Sequence, residues 1–131
     1  MLKKPTIKST KTLHNKAWKL QSEWIRRKDA NLDGNVYCYT CDKAMHWKES
    51  HAGHFKHGKL DFDDRNLKVQ CPGCNTYRDG RLDVYALRLL KDYGKKWILK
   101  LESDALQTTP YTWSQLQEII IELKLKLSKL K

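Results

Sequence analysis

Two pairs of cysteines, Cys38-Tyr-Thr-Cys41 and Cys71-Pro-Gly-Cys74, constrain this chain more than any other feature. Thiolates three positions apart on a tight turn can grip one ion, and two such knuckles complete a tetrahedral Zn²⁺ site with Zn–S bonds of ~2.3 Å. Four sulfurs leave no open position for a substrate, so one structural zinc per chain is expected. Four unrelated thiols are the bland alternative. A redox pair fits less well still, because neither pair opens a βαβ pattern.

The chain needs such a staple. Its 131 residues suggest a single domain. Only 40% of them are apolar, below the usual ~45–50%, so the core must be thin. A structural zinc supplying ~10–16 kcal/mol would offset that. Cysteines used as ligands also point to a reducing compartment. No apolar run approaches the ~20 residues of a membrane span. The longest candidate, 119–130, is broken by Glu122, Lys124, Lys126, Ser128 and Lys129. The basic N-terminus lacks the apolar centre of a secretion signal. These features predict a cytoplasmic protein with no membrane partner.

Charge narrows the partner. Lys and Arg number 26 against 15 Asp and Glu, a balance of +11. Lys3, Lys4, Lys8, Lys11, Lys16, Lys19, Arg26, Arg27 and Lys28 face one early acid, Glu23, so a polyanion such as DNA is the natural partner. Residues 1–12 are read as a basic flexible arm and 13–131 as one folded domain. Leu13, Ala17, Leu20 and Trp24 recur at helical spacing, and the 31–34 segment reads as a turn. Asp83 is a candidate cap for a helix carrying Tyr85, Leu89 and Tyr93, with Gly94 as its stop. A short helical turn is expected at 97–101. After Pro110, Thr112 and Gln115 form a capping-box signature for a last helix.

Between and beside the knuckles lie Ala52-Gly-His54-Phe55, Arg65-Asn66, Gln70-Cys-Pro-Gly-Cys-Asn75 and Asp79-Gly80. A His after the first pair, an Asn five residues before the second and an Asn directly after it follow the layout of HNH, or ββα-metal, nucleases. The match from about Trp18 onward resembles the NinG/Rap recombination endonucleases of lambdoid phages. That resemblance implies an α+β fold, a ββα-metal (HNH, His-Me finger) unit stapled by the four-cysteine zinc and flanked by N- and C-terminal helices. It also implies a phage protein, working in a bacterial host, that cuts branched DNA such as Holliday junctions or D-loops with Mg²⁺ or Mn²⁺.

Carried over by position, His54 becomes the general base, Asn66 the residue that holds the hairpin, and Asn75 a ligand of the catalytic metal. Most HNH proteins have Asp directly before the base, where this chain has Gly53. His51 shares the strand parity of Gly53 and is the first candidate for the missing ligand. Glu49, or an acid from 61–64, is the alternative. A nitrogen and oxygen ligand mixture would favour Mn²⁺. Arg78, Arg65, Lys56, Arg26, Arg27, Lys16 and Lys19 are candidate DNA contacts.

His57, His46 and His14 are read as surface residues without a role. Trp18, Trp24, Trp97 and Trp113 are read as core, with Trp47 unassigned. Two other functions fit the same motifs, a less selective HNH nicking enzyme and a zinc module that only binds nucleic acid. Finally, Trp113, Leu116, Ile120, Leu123, Leu127 and Leu130 are spaced like a coiled-coil seam, and a second row holds Ile119, Ile121 and Leu125. A homodimer through this helix is expected, against the alternative that both rows pack on the chain's own helices.

Overall fold

The computed structural model describes residues 7–58, 60–107 and 109–130. A long helix, α1 (Ile7–Arg27), leads into a hairpin of β1 (Asn35–Tyr37) and β2 (Ala44–His46). A second hairpin pairs β3 (His51–His54) with β4 (Leu67–Gln70), and three helices follow: α2 (Leu82–Tyr93), α3 (Lys95–Ala105) and α4 (Trp113–Ser128). Both hairpins are antiparallel, with His51 opposite Gln70 and His54 opposite Leu67 in the second. The backbone N–H of Tyr39 donates to Val69 O at 2.8 Å and joins the two hairpins.

Helix α1 starts at Ile7, six residues before the first position of the apolar stripe. Residues 7–12 are therefore helical rather than part of a flexible arm, and 1–6 lie outside the described residues. At the 31–34 turn, Asn31 Oδ1 accepts from the backbone N–H of Asp33 and Asn35. Gly34 has a φ of 81°, which a β-carbon would disfavour. Asp83 does not cap α2. It lies in the first turn, and the cap position is Arg81 in a left-handed conformation. The capping box of α4 forms in full, with Thr112 Oγ1 accepting from Gln115 N and Gln115 Oε1 from Thr112 N.

The described core is divided, as a low apolar share requires. Val36, Met45 and three cysteines pack together under the knuckles. Phe55, Leu60, Tyr85, Leu89 and Leu101 join the second hairpin to α2 and α3, with Trp97 against them. Ile25, Ala52 and Leu67 pin β3 and β4 onto α1, beside Trp18 and Trp24. Ala17 of α1 packs with Leu116 and Ile120 of α4.

That last cluster corrects the expected seam. Leu116, Ile120 and Leu123 are buried within the chain, Leu116 and Ile120 against α1, so these positions cannot also form a dimer interface. Of the second row, Ile121 and Leu125 stay exposed. Leu116→Ala should cost ~2–5 kcal/mol of stability in urea titrations, the range for a buried leucine. A loss under ~1 kcal/mol would mean that the α1–α4 contact is not tight.

Candidate functional site

The four cysteine sulfurs converge. Cys38 directly follows β1, Cys71 follows β4, and all four ligand atoms lie within 4.8 Å of one another. Cys41 and Cys71 are 3.7 Å apart, close to the S–S edge of about 3.8 Å that a tetrahedron with ~2.3 Å bonds requires. This cluster can hold a metal ion such as zinc. Burial alone would push the Cys38 thiol up, but the Thr40 hydroxyl and backbone groups of Cys71 and Thr40 bring it down to about 6. Among the described residues no other set of three or more His, Cys, Asp or Glu side chains converges in this way.

His54 ends β3, and its ring is held on several sides. Nε2 lies 3.0 Å from Asp61 Oδ1. A carboxylate can only accept, so Nε2 donates to it, and in a neutral ring this leaves the lone pair on Nδ1. The indole of Trp18, from α1, stacks on the ring with centroids 4.6 Å apart, and the His57 ring stacks at 5.0 Å. Asp61 also receives His14 Nε2 at 3.3 Å. His14 and His57 are thus part of this cluster and not idle surface residues, and Trp18 does more than fill the core. His46 stands apart from this cluster, its Nδ1 capping a turn by accepting from Lys48 N and its ring lying over Gly34 and against Trp47.

Asn66 is fully buried and clasps the connection that follows His54. Its Oδ1 accepts from Lys56 N at 2.7 Å, and its Nδ2 donates to Lys56 O at 2.6 Å and to Leu60 O at 3.3 Å. Asn75 sits in a short helical turn, Gly73–Tyr77, directly after the second knuckle. Its Nδ2 lies 3.0 Å from His51 Nδ1. His54, His57, Trp18, Asn75 and Asp79 line one open cavity of 370 Å³. A larger cleft of 540 Å³ is lined by Asp63, Asp64, Asp104 and Glu122 with Arg65 and Lys126 as its cations, an acid surplus that suits no phosphate.

Other expected ligands are not available. Glu49 lies in a 3₁₀ turn, Trp47–Glu49, ahead of β3, so strand parity does not aim it at Gly53. Asp63 is taken by Arg65, and Asp64 by Gln21 and Trp24. Arg65 is corrected as a DNA contact, because its guanidinium is spent on Asp63 and, at 2.8 Å, on Asp104. Hydrogen bonds from Arg65 and then Lys100 hold the Asp104 carboxyl below its ordinary range. That tie is complete above the ordinary carboxylate range and is lost as pH falls through the lowered value.

Lys56 pairs with Glu102 at 3.4 Å. Arg26 and Arg27 flank the Trp47 ring at 5.4 and 5.2 Å. Arg78, Lys16 and Lys19 are exposed.

Gln70 was not singled out by the sequence. It is fully buried, with Nε2 donating to Gly80 O at 2.8 Å and to Thr40 Oγ1 at 3.1 Å. Its Oε1 is the buried side-chain polar atom with no hydrogen-bond partner among the described residues. The Tyr85 hydroxyl, kept protonated by burial, donates to Gly53 O and so holds β3, the strand paired with that of Gln70.

Two small antiparallel hairpins around a four-cysteine cluster that could bind a metal, packed between helices, define a mixed α and β protein. A model of the NinG family, described as Bacteriophage Lambda NinG protein, matches residues 1–131, and the chain belongs to that family. It is 32% identical over 85 residues to Protein ninG of Escherichia phage 933W, covering 62% of this chain and 40% of the relative. Protein ninG of Salmonella phage P22 is 33% identical and that of Escherichia phage lambda 31%, each over 85 residues, 62% of this chain and 39% of the relative. The chain thus spans about 40% of the length of the curated relatives it matches. No solved structure matches it. No helix among the described residues is long and apolar enough to cross a membrane.

Proposed function

We propose that this chain is a metal-dependent DNA endonuclease of the HNH, ββα-metal type, acting on branched DNA. The observation that carries the reading is the His54 imidazole. It is fixed by Asp61 and Trp18 at the edge of an open cavity, with Asn75 lining the same wall. A zinc module that only binds nucleic acid has no need of an imidazole held in one tautomer.

In this reading His54 Nδ1 takes a proton from water, and the resulting hydroxide attacks phosphorus. The bond from phosphorus to the leaving sugar oxygen breaks, and that oxygen takes its proton from solvent. Asp61 stabilises the imidazolium that forms. Asn66 keeps the 55–66 connection, and so Asp61, in place. His51 and Asn75 fit a divalent cation, since the imidazole offers nitrogen and the carboxamide, once turned, offers oxygen. When bound, such an ion neutralises charge on the phosphate and leaving oxygen. Arg78 is one helical turn from Asn75 and can reach a flanking phosphate, with Lys16 and Lys19 as further contacts. The four-cysteine cluster holds zinc and keeps the two hairpins together. A homodimer belongs to this reading, because resolving a junction takes two symmetric cuts. The exposed Ile121 and Leu125, not the buried seam, would have to serve it.

A four-way junction and a matched linear duplex, each incubated with zinc-loaded protein and Mg²⁺ or Mn²⁺, test the proposal. Paired cuts in the junction that chelation abolishes are expected. Equal cutting of the duplex would favour the less selective nicking enzyme, and no cutting of either would sink the nuclease reading.

A further inference from the structure

Gln70, whose buried side-chain oxygen is unpartnered, stands across the hairpin from His51, one of the proposed cation donors. Gln70 is the cross-strand partner of His51, so the two side chains leave the hairpin on the same face, where His51 meets Asn75. The orientation of the carboxamide is fixed by its other end, because Nε2 donates to the carbonyl of Gly80, which can only accept. Turning it over would set two oxygens against each other. Oε1 therefore points away from Thr40 and Gly80, toward Gly53. A β-carbon built on Gly53 would fall inside 3.0 Å of Oε1 and lie 2.6 Å from Gln70 Cδ. The glycine leaves its side-chain space to this carboxamide.

Leaving a buried acceptor unpaired costs ~1–3 kcal/mol, and native proteins rarely do so without a reason. Solvent does not answer the need, since the atom has almost no accessible surface. A water molecule requires about 2.8 Å, whereas a divalent cation such as Mg²⁺ settles at about 2.1 Å from a carboxamide oxygen. We propose that Gln70 Oε1, seated in the side-chain space that Gly53 leaves free, is an oxygen ligand of the divalent cation held with His51 and Asn75. The proposal rests on the metal-dependent reading above and names the ligand which that reading lacked. The donor set becomes one imidazole nitrogen and two carboxamide oxygens, a neutral set that suits Mn²⁺ better than Mg²⁺.

The test uses the full zinc-loaded chain without DNA and Mn²⁺ alone as the probe, with the free ion counted by its electron paramagnetic resonance signal. Wild type should bind one Mn²⁺ with zinc retained. Gln70→Ala should bind it about 10- to 100-fold more weakly. Because losing the bonds to Gly80 and Thr40 could disturb the fold, two further variants are decisive. Gly53→Ala removes no donor atom but displaces the carboxamide, and it should weaken Mn²⁺ binding with zinc content unchanged. Gln70→Glu breaks the bond to Gly80 but adds a charged oxygen, so it should bind Mn²⁺ about tenfold more tightly.

If Gln70 is only a strut, Gln70→Glu weakens the protein and leaves Mn²⁺ affinity no better than wild type, which overturns the assignment. So does a wild-type chain that binds no Mn²⁺ at millimolar concentration. Protein that cuts DNA while Gln70→Ala binds Mn²⁺ like wild type overturns this site alone. Protein that binds Mn²⁺ through Gln70 yet cuts nothing supports the site and sinks the nuclease reading instead.

Discussion

His54→Ala is expected to slow junction cleavage by about 10²–10⁴-fold, the usual cost of removing a general base, while DNA affinity stays unchanged. The two effects separate because the imidazole is held by Asp61, Trp18 and His57 and the excess positive charge lies elsewhere, on residues such as Lys16, Lys19 and Arg78. Single-turnover rates and filter binding on the same preparation measure both. Asp61→Asn keeps the shape but removes the carboxylate that fixes the proton on Nε2, so a smaller loss is expected, confined to the rate. The nitrogen-15 shifts of the His54 ring should then report a mixture of tautomers where wild type shows one. A His54→Ala protein that cuts at the wild-type rate would show that the base is another residue.

Removing the ion from the four-cysteine cluster is expected to unfold the protein outright. Zinc sites of this kind contribute ~10–16 kcal/mol, as much as the whole net stability of about 5–15 kcal/mol that a domain keeps. The described core is split into small clusters, and one of them is built on Cys38, Cys71 and Cys74 themselves. Without the ion, four crowded sulfurs are left among Val36, Met45 and a few partly buried neighbours, too small an apolar cluster to hold the two hairpins. Circular dichroism and thermal melting before and after chelation, together with Cys71→Ser, measure the effect. A zinc-free chain that keeps its helices and melts cooperatively near the temperature of the loaded form would overturn this account.

The parts legible in the sequence were those written as short-range spacing. The cysteine pairs, the Thr112–Gln115 cap and the apolar stripes of α1 and α2 each need only a few neighbouring residues to be recognised. His54, Asn66 and Asn75 were legible as an ordered set, and the structure brings Asn66 onto the segment after His54 and Asn75 onto His51.

Contacts made by distant segments were not legible. Asp61 reaches His54 because the 55–66 connection folds back on itself, and His14 reaches Asp61 because α1 packs against Phe62 of the same connection. Gln70 stands in a recognised stretch, but nothing in the spacing gives it a role. Its position follows from strand register and from the missing side chain of Gly53. The α4 seam failed for a different reason. A period of 3 and 4 says that a helix buries one face, and a helix of the same chain satisfies that as well as a second copy.

The placement of the two knuckles bears on how the chain is made. The 29 residues between Cys41 and Cys71 include His51, His54, Asn66 and Gln70. During synthesis the first pair is made before that stretch and the second only after it. A nascent chain can therefore capture its ion with four sulfurs only once every one of these residues has been added. Capture then closes a loop whose entropy cost is about 3 kcal/mol, drawing β3 and β4 into register in one event. An unfinished chain has only the first pair of thiolates, so it cannot yet assemble the four-sulfur site.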